Sequence, residues 1–473
     1  MKTLLINPPQ NGKYPQPPLG LASIAAVLEM GGYQVKILDA NALQLSESET
    51  AREINGADII GITAMTPFIN SAIKVAKGIK REKPSSMVIV GGAHVTVLPE
   101  ETLSGVPEID IIVRGEAEAT VPKLYQALKS GDSLQNVHGI TYRDKGEIKS
   151  TPTRPPIVDM DSLPFPAYHL LPLQKYRLHP PHGKRLPVMA VLTSRGCPYN
   201  CLFCSKPIFG HKFRSQSPQR IASEIKYLVE HFKVKEITFY DDIFTLDKKQ
   251  IVKLAKEFKK HKLSIPWSCE TRVNLVTKES LATMKEAGCY MIAYGIESGN
   301  QNILNNLRKK ITIEQVRKAM EMTHDAGIQS VGYFMLGSPE ETPTTIRQTI
   351  DFAKRLPLDF AQFSITTPYP GADMYNLYLK SGVSDKNWDN FTYANLKSAS
   401  TPVFGTASLS KDDLQKWNAT AYKEFYIRFS YIWERLKQSR SPGNLRTNIS
   451  GLRMLLDMIR GNFLSRRVQA GRG

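Results

Sequence analysis

Arg195-Gly196-Cys197-Pro198-Tyr199-Asn200-Cys201-Leu202-Phe203-Cys204 gathers three of the chain's five cysteines into one C-x3-C-x2-C run. Iron–sulfur clusters are held by cysteine thiolates, and close spacing lets one loop wrap one cluster. Three thiolates without an obvious fourth leave one metal position open, which a metal needs if it is to bind a reactant. The alternative is a structural zinc with His211 as fourth ligand. C-x3-C is an unusual zinc spacing, and the apolar Leu202 and Phe203 suit a shielded cluster better. Cys269 and Cys289 lie in apolar, strand-like surroundings and read as small buried hydrophobes.

Outward from this run, residues 187–368 alternate between strands and helices. Six β-like runs stand at Val188–Thr193, Glu236–Tyr240, Pro266–Glu270, Tyr290–Ile296, Gln329–Leu336 and Phe360–Thr366. Between them, Ile221, Ile225, Leu228, Val229 and Phe232 fall on one helical face, and Thr312-x-x-Gln315 forms a capping box. Six such repeats predict a parallel (β/α)6 partial barrel, with chemistry at the C-terminal strand ends. The cysteine run follows the first strand, at that end. The second strand ends in Tyr240-Asp241-Asp242, the fourth in Tyr294-Gly295-Ile296-Glu297-Ser298-Gly299, and the fifth in Gly337-Ser338-Pro339-Glu340.

The cysteine spacing, the aromatic Phe203 before the last cysteine and these strand ends together resemble the radical S-adenosylmethionine (SAM) enzymes. The resemblance implies a 4Fe-4S cluster on Cys197, Cys201 and Cys204. It implies SAM contacts from Phe203, Asp241, Glu297, Ser298, Gly337 and Pro339. In that family the open iron chelates SAM, and an electron from the cluster splits the sulfonium. The resulting 5′-deoxyadenosyl radical takes hydrogen from an unactivated carbon. Glu297 has a plainer reading as a salt-bridged carboxylate at a barrel end.

Residues 1–130 carry five further β-rich runs separated by helical patterns, including Leu19–Met30 stopped by Gly31-Gly32. They predict a flavodoxin-like, doubly wound parallel sheet with ligands beyond the strand ends. Those ends read Asn7-Pro8-Pro9, Asp39-Ala40-Asn41, Thr63-Ala64-Met65-Thr66, Gly91-Gly92-Ala93-His94 and Arg114-Gly115-Glu116. The series resembles a cobalamin-binding domain. Asn7, Asp39, Asn41, Thr63, Thr66, Gly91, Gly92, His94 and Glu116 are the contacts this implies. Asn41 stands where that family's axial histidine would be, and Gln44 where its glycine would be. Histidine-ligated cobalt is therefore not expected, and base-off binding stays open. His94 reads as a loop hydrogen-bonding residue. A flavodoxin-like domain with another ligand, or none, is the alternative.

Residues 131–186 hold a hairpin at Gly139–Lys149 and then a crowd of prolines, expected as an extended connector. Residues 369–473 are expected to be mainly helical. Tyr369, Tyr375, Tyr378, Trp388, Phe391 and Tyr393 read as a substrate pocket or a packed core, and Leu414–Ile432 as one helix. Beyond it, Leu445, Ile449, Leu452, Leu456, Ile459 and Phe463 run beside Arg446, Arg453, Arg460 and Arg467. This stripe suits an interfacial membrane helix or a docked one with its arginines in water.

The 473 residues carry a net charge of +18, with nine basic and two acidic residues from Tyr431 onward. The charge invites an anionic partner, but nothing resembles a nucleic-acid-reading motif. Few cysteines and no apolar run of membrane-spanning length suit a reducing cytoplasm, with peripheral membrane contact left to the tail. The expected function is a cobalamin-dependent radical SAM enzyme that methylates an unactivated carbon of a small or lipid-like substrate. A second SAM would remethylate the cobalt, and a flavodoxin or ferredoxin would supply electrons. The alternatives are a radical cyclase, oxidase or rearrangement enzyme on a lipid or tetrapyrrole and, in another class, an iron–sulfur or cobalamin sensor.

Overall fold

The computed structural model describes residues 1–10, 14–177, 182–380, 387–391 and 405–438. Five parallel strands, β1 Lys2–Asn7, β2 Gln34–Asp39, β3 Ile59–Thr63, β4 Met87–Gly91 and β5 Ile111–Val113, stand in the order 2-1-3-4-5. This is the flavodoxin-like order, and it reverses between β1 and β3. The strands are runs of Ile, Leu and Val because helices cover both faces. Ile6, Ile60, Ile62 and Val90 pack on the helix Ile69–Glu82. Leu5, Ile89 and Val113 pack on the helices Leu19–Met30 and Thr120–Ser130. The hairpin of β6 Ile140–Asp144 and β7 Glu147–Ser150 lies antiparallel on β5 and extends the sheet to seven strands. The sheet thus continues past the expected boundary at residue 130.

The second sheet opens with β8 Val188–Val191. The chain then forms a two-residue antiparallel ribbon, β9 Ser194–Arg195 with β10 Arg214–Ser215, which closes the cysteine loop at its base. β11 Glu236–Phe239, β12 Trp267–Thr271, β13 Cys289–Glu297, β14 Gln329–Leu336 and β15 Phe360–Ile365 follow, all parallel, in the order 15-14-13-12-11-8. The end strands are not neighbours, so the barrel is open. Met189, Val191, Phe239, Trp267, Cys269, Tyr294 and Phe334 face the surrounding helices in one core. Thr277, Thr312 and Thr342 cap barrel helices as capping boxes, and Ser217 caps the helix Pro218–Phe232.

Where one helix was expected over Leu414–Ile432, two are found, Lys411–Tyr426 and Phe429–Gln438. The break serves the edge strand β15. The Tyr422 hydroxyl accepts from the Phe363 amide at 3.2 Å, and Tyr426 bonds both backbone groups of Ala361. The bend after Tyr426 lets Tyr431 reach the Asp359 carbonyl at 3.0 Å. Of the aromatic series, Tyr378 and Phe391 are buried against Tyr369, Tyr375 and Trp388, while Tyr393 and the stripe at 445–467 lie outside the described residues. Among the described residues no helix is long and apolar enough to cross a membrane.

The proline-rich connector is extended, with two short 3-10 turns, and drives two tyrosines between the sheets. Tyr168 donates to Glu224 of the barrel helix Pro218–Phe232 at 2.6 Å, and Tyr176 donates to Asp39 at the end of β2 at 2.9 Å. A buried ion cluster joins the same bodies. Arg195 of β9 pairs with Glu116 at 3.0 Å and with Glu118 at 2.5 Å, and Arg214 of β10 pairs with Glu116 at 2.6 Å. All four side chains are at most 8% exposed. Removing one member leaves an uncompensated buried charge. Glu116→Gln is therefore expected to destabilise the folded chain by about 3–5 kcal/mol, read as a lower Tm and faster proteolysis of the connector. An unchanged Tm would show that the cluster does not hold the two sheets together.

Candidate active site

The cysteine loop is shaped before any metal arrives. Gly196 has φ +84°, and a Cβ there would meet the Lys212 carbonyl oxygen at 2.3 Å, so only glycine fits. The Cys197 amide donates to the Gly210 carbonyl at 3.2 Å, and the Cys204 amide to the Cys201 carbonyl at 3.2 Å. Leu202 is tied on both sides, donating to the Leu307 carbonyl and accepting from the Met374 amide. Cys197 and Cys201 are buried, and Cys204 is half-buried. Burial pushes the Cys204 thiol up to about 11 and raises Cys197 as well. A bound cation reverses this by holding the thiolates directly.

His211 is exposed and stands 3.4 Å from the Lys206 ammonium, which does not suit a fourth zinc ligand. Among the described residues no three His, Cys, Asp or Glu side chains converge on one ion. A cluster asks for less convergence, because each cysteine ligates a different iron. Arg272, at the end of β12, completes the surroundings. Its guanidinium lies 3.5 Å from the Cys201 sulfur and 3.8 Å from the centre of the Tyr199 ring, and it also donates to the Lys309 carbonyl. The donor set fits a cluster with one cation beside a sulfur.

The residues expected around SAM come to the same end of the barrel, but their carboxylates already have partners. Asp241 accepts from both the amide and the hydroxyl of Thr193 and of Ser194. Burial lifts its carboxyl to about 6 even against the pull of these four donors. Asp241 thus ties the end of β11 to the start of the cysteine loop. Glu297 has φ +70° at a bulge in the β13–β14 pairing and forms a buried pair with Lys309 at 2.6 Å. Gly295 is needed beneath it, since a Cβ there would lie 2.6 Å from its carboxylate. Ser298 shares a hydrogen bond with Thr349 at 3.0 Å and accepts from the Asn300 amide. The turn at Gly337 and Pro339 is held by Glu341, which accepts from the amides of Gly337 and Ser338. Burial pushes Glu341 up to about 7. Phe203 packs with Leu202, Ile303, Leu307 and Met374, beside the Lys309 ammonium.

In the N-terminal sheet, Thr63, Gly91, Gly92 and Glu116 line one cavity of about 380 Å³. It lies at the strand ends, under the helix Leu19–Met30, and its far wall is Leu192, Arg195, Phe209, Gln216 and Glu224 of the barrel body. Its floor is kept bare by glycines. A Cβ at Gly61 would meet Leu5 at 2.7 Å, and Gly92 has φ +114° with its Cβ position 2.5 Å from the Ala64 carbonyl. Three buried polar atoms of the far wall lack a partner: Arg195 Nε, Gln216 Oε1 and Glu224 Oε2. Orphaned atoms of this kind are expensive, at about 1–3 kcal/mol each. A glycine-floored slot with unpaired polar atoms fits the insertion of a flat, polar-edged group, as cobalamin would supply.

The other expected cobalamin contacts do not line that cavity. Asn7 donates to Asp39 at 2.8 Å, as their register pairing across β1 and β2 allows, and Asp39 also accepts from the Ala42 amide. Asn41 is buried with its Oδ1 unpartnered. His94 bonds the Thr66 hydroxyl at 3.2 Å and packs edge-on against Trp388. Burial holds it down to about 4, so it is neutral. It hydrogen-bonds as expected, but from the short helix Ala93–Val97 and not from a loop. The sequence reading passed over Arg195, Arg272, Lys309, Glu224 and Glu341. Arg195 had one signal, its place directly before the Gly-Cys pair.

The sequence profile of the Radical SAM superfamily matches residues 191–353, and that of the B12 binding domain matches residues 10–125. An uncharacterised methyltransferase of Pyrococcus horikoshii is 37% identical over 438 residues, covering 90% of this chain and 93% of its own. The anaerobic magnesium-protoporphyrin IX monomethyl ester cyclase of Rubrivivax gelatinosus is 30% identical, covering 88% of this chain and 75% of its own. The fold is shared with the cobalamin-dependent SAM radical enzyme OxsB, solved with aqua-cobalamin and SAM bound. The TM-score is 0.74 at 18% identity, over 97% of this chain and 72% of that one. The chain belongs to the radical SAM superfamily, in the group whose members carry an N-terminal B12-binding domain.

Proposed function

We propose that the protein methylates an unactivated carbon of a small organic substrate. One observation carries this reading: the cavity at the cobalamin-side strand ends shares Arg195 with the loop that presents Cys197, Cys201 and Cys204. Two reactive centres tied by one buried ion cluster are arranged for a shared substrate rather than for separate duties. When bound, the cluster and SAM supply a hydrogen-abstracting radical, and cobalamin supplies a methyl group.

The chain's own residues hold and shield these groups. Cys197, Cys201 and Cys204 are the cluster ligands, and Arg272 places positive charge at the Cys201 sulfur. Phe203, Ser298, Gly337 and Pro339 form the SAM-side surface. Asp241, Glu297 and Glu341 are positioning residues that fix the backbone of that surface. Thr63, Gly91 and Gly92 shape the cobalamin slot, Asn7, Asp39, Asn41, Thr66 and His94 stand at or just after the ends of the neighbouring strands, and Glu116 clamps the slot to the barrel. Asn41 offers no imidazole, so this chain would hold cobalamin without a histidine at that position. The cavity has the size of a pocket for one drug-sized group. A small one-electron carrier of the flavodoxin or ferredoxin kind is the expected donor. The basic, apolar stripe at 445–467 supports contact with an anionic membrane surface. Ring closure on a tetrapyrrole is the second reading, favoured by the 30% identity to the cyclase.

The deciding experiment is anaerobic turnover with cobalamin, a reductant and SAM bearing a deuterated methyl group. Methyl transfer yields S-adenosylhomocysteine and 5′-deoxyadenosine together, with label in the product. Formation of 5′-deoxyadenosine alone would favour the cyclase reading. Cys201→Ala is expected to lose both iron and SAM cleavage; full activity in that variant would remove the cluster from the account. Arg272→Ala is expected to keep its iron but to lower the cluster's reduction potential, on the order of 50 mV for one lost charged hydrogen bond. A redox titration followed by electron paramagnetic resonance reads this.

A further inference from the structure

The helix Lys248–Lys260, between β11 and β12, carries six lysines against one glutamate. Its inner face is apolar, with Ile251, Leu254 and Phe258 buried in the barrel core. Lys249, Lys253, Lys256 and Lys260 follow one another at steps of four, three and four, so they form one stripe on the opposite, exposed face. The stripe is about 17 Å long at the rise of an α-helix. Lys260 pairs with Glu257 at 3.3 Å, and among the described residues no carboxylate pairs with the other three. Other helices of the barrel neutralise their cations: Arg317 is paired with Glu314 and Glu321, and Arg347 and Lys354 with Glu424. Like charges at these spacings destabilise a helix, so the lysine stripe stands against a local cost.

The stripe begins beside the cysteine loop. Gln250, next to Lys249, accepts from the Ser215 hydroxyl at 2.9 Å and donates to the Gln216 carbonyl at 3.2 Å. Ser215 belongs to the ribbon that closes the loop at its base. On the loop itself Lys212 is exposed, and its carbonyl oxygen lies against Gly196, the neighbour of Cys197. Asp247, the acid at this end of the helix, is committed as the cap on the amides of Lys249 and Gln250. Positive charge thus extends from the loop along the helix.

Splitting a sulfonium reductively takes an electron. The chain's five cysteines offer no second set to relay one, since Cys269 and Cys289 are buried among apolar side chains of the barrel core. The electron therefore comes from a separate molecule that touches the outside of this chain. We infer that the lysine stripe, together with Lys212, is the docking surface for an acidic one-electron carrier protein. On docking, the carrier is oxidised by one electron, which the cluster takes up. Encounters of this kind bury little surface and form fast under charge steering. A short convex stripe of unpaired lysines suits such an encounter. The inference rests on the reading above in which the cysteine loop holds a redox cluster served by an external carrier, and it adds where that carrier sits.

The test uses the full, cluster-loaded chain under anaerobic conditions, with a flavodoxin and a ferredoxin, both acidic proteins, as carriers. Carrier affinity is measured by titration calorimetry. Formation of 5′-deoxyadenosine is measured with each reduced carrier and with dithionite, a small reductant that needs no docking surface. The triple variant Lys249→Glu/Lys253→Glu/Lys256→Glu is expected to weaken binding of at least one carrier roughly tenfold at low salt. SAM cleavage driven by that carrier, at limiting carrier, slows by a similar factor, and the gap closes at high salt. The dithionite-driven rate stays at the parent's, which certifies fold and cluster. A control triple, Lys77→Glu/Lys123→Glu/Lys129→Glu, makes the same charge change on exposed lysines of the first domain and should behave as the parent. Equal losses in both triples would reduce the effect to net charge and overturn the docking surface, as would parent-like carrier binding in the first triple. A first triple that loses only binding to transfer RNA or to anionic phospholipid vesicles would assign the stripe to another partner and overturn it too. So would a parent that cleaves SAM with dithionite but with neither carrier. No SAM cleavage by the parent with dithionite would instead bring down the cluster reading itself.

Discussion

Two guanidiniums and two carboxylates, shut away from water where the flavodoxin-like sheet meets the barrel, set the geometry on which both halves depend. Arg195 and Arg214 flank the cysteine loop as the two short strands at its base, and Glu116 and Glu118 follow the last parallel strand of the first sheet. Such charges are tolerable only when paired, because each would lose several kcal/mol of hydration alone. The halves therefore meet in one register. The loop that carries the thiols is thereby fixed against the strand ends that line the cavity, and the distance between the two centres is set by Arg195 bridging two glutamates and Glu116 bridging two arginines rather than by a flexible connector.

The carboxylates at the barrel mouth follow a common pattern. Asp241 gathers the Thr193–Ser194 corner, Glu341 gathers the Gly337–Ser338 turn, and Glu297 holds Lys309 against a bulged strand. Asp241 spends both oxygens on the protein itself, and Glu341 and Glu297 one oxygen each. A surface assembled this way presents backbone and ring edges to a ligand in a fixed arrangement, and little needs to reorganise when the ligand arrives. Arg272 differs, because it directs its charge at a sulfur.

Much of this architecture was legible in the residues. The three cysteines, the six strand-like runs and the Gly91-Gly92 pair sit close together in sequence and carry strong local signals. The order of the first sheet followed from five βα repeats. What sequence periodicity does not carry is long-range pairing. Tyr176 meets Asp39 across 137 residues, Arg195 meets Glu116 across 79, and Tyr168 meets Glu224 across 56. Nothing local marks Glu224, which occupies an ordinary position in an amphipathic helix. The break after Tyr426 was hidden for a related reason, since it answers to hydrogen bonds on β15 and not to a proline or glycine in the helix.

The slot under the helix Leu19–Met30 is walled by three stretches of chain: the first sheet, the barrel body and the proline-rich strap between them. The strap is nailed down at both ends of its buried run, by Tyr168 and by Tyr176. A guest seated there would touch all three stretches at once, so its binding would add to the stability with which they hold one another.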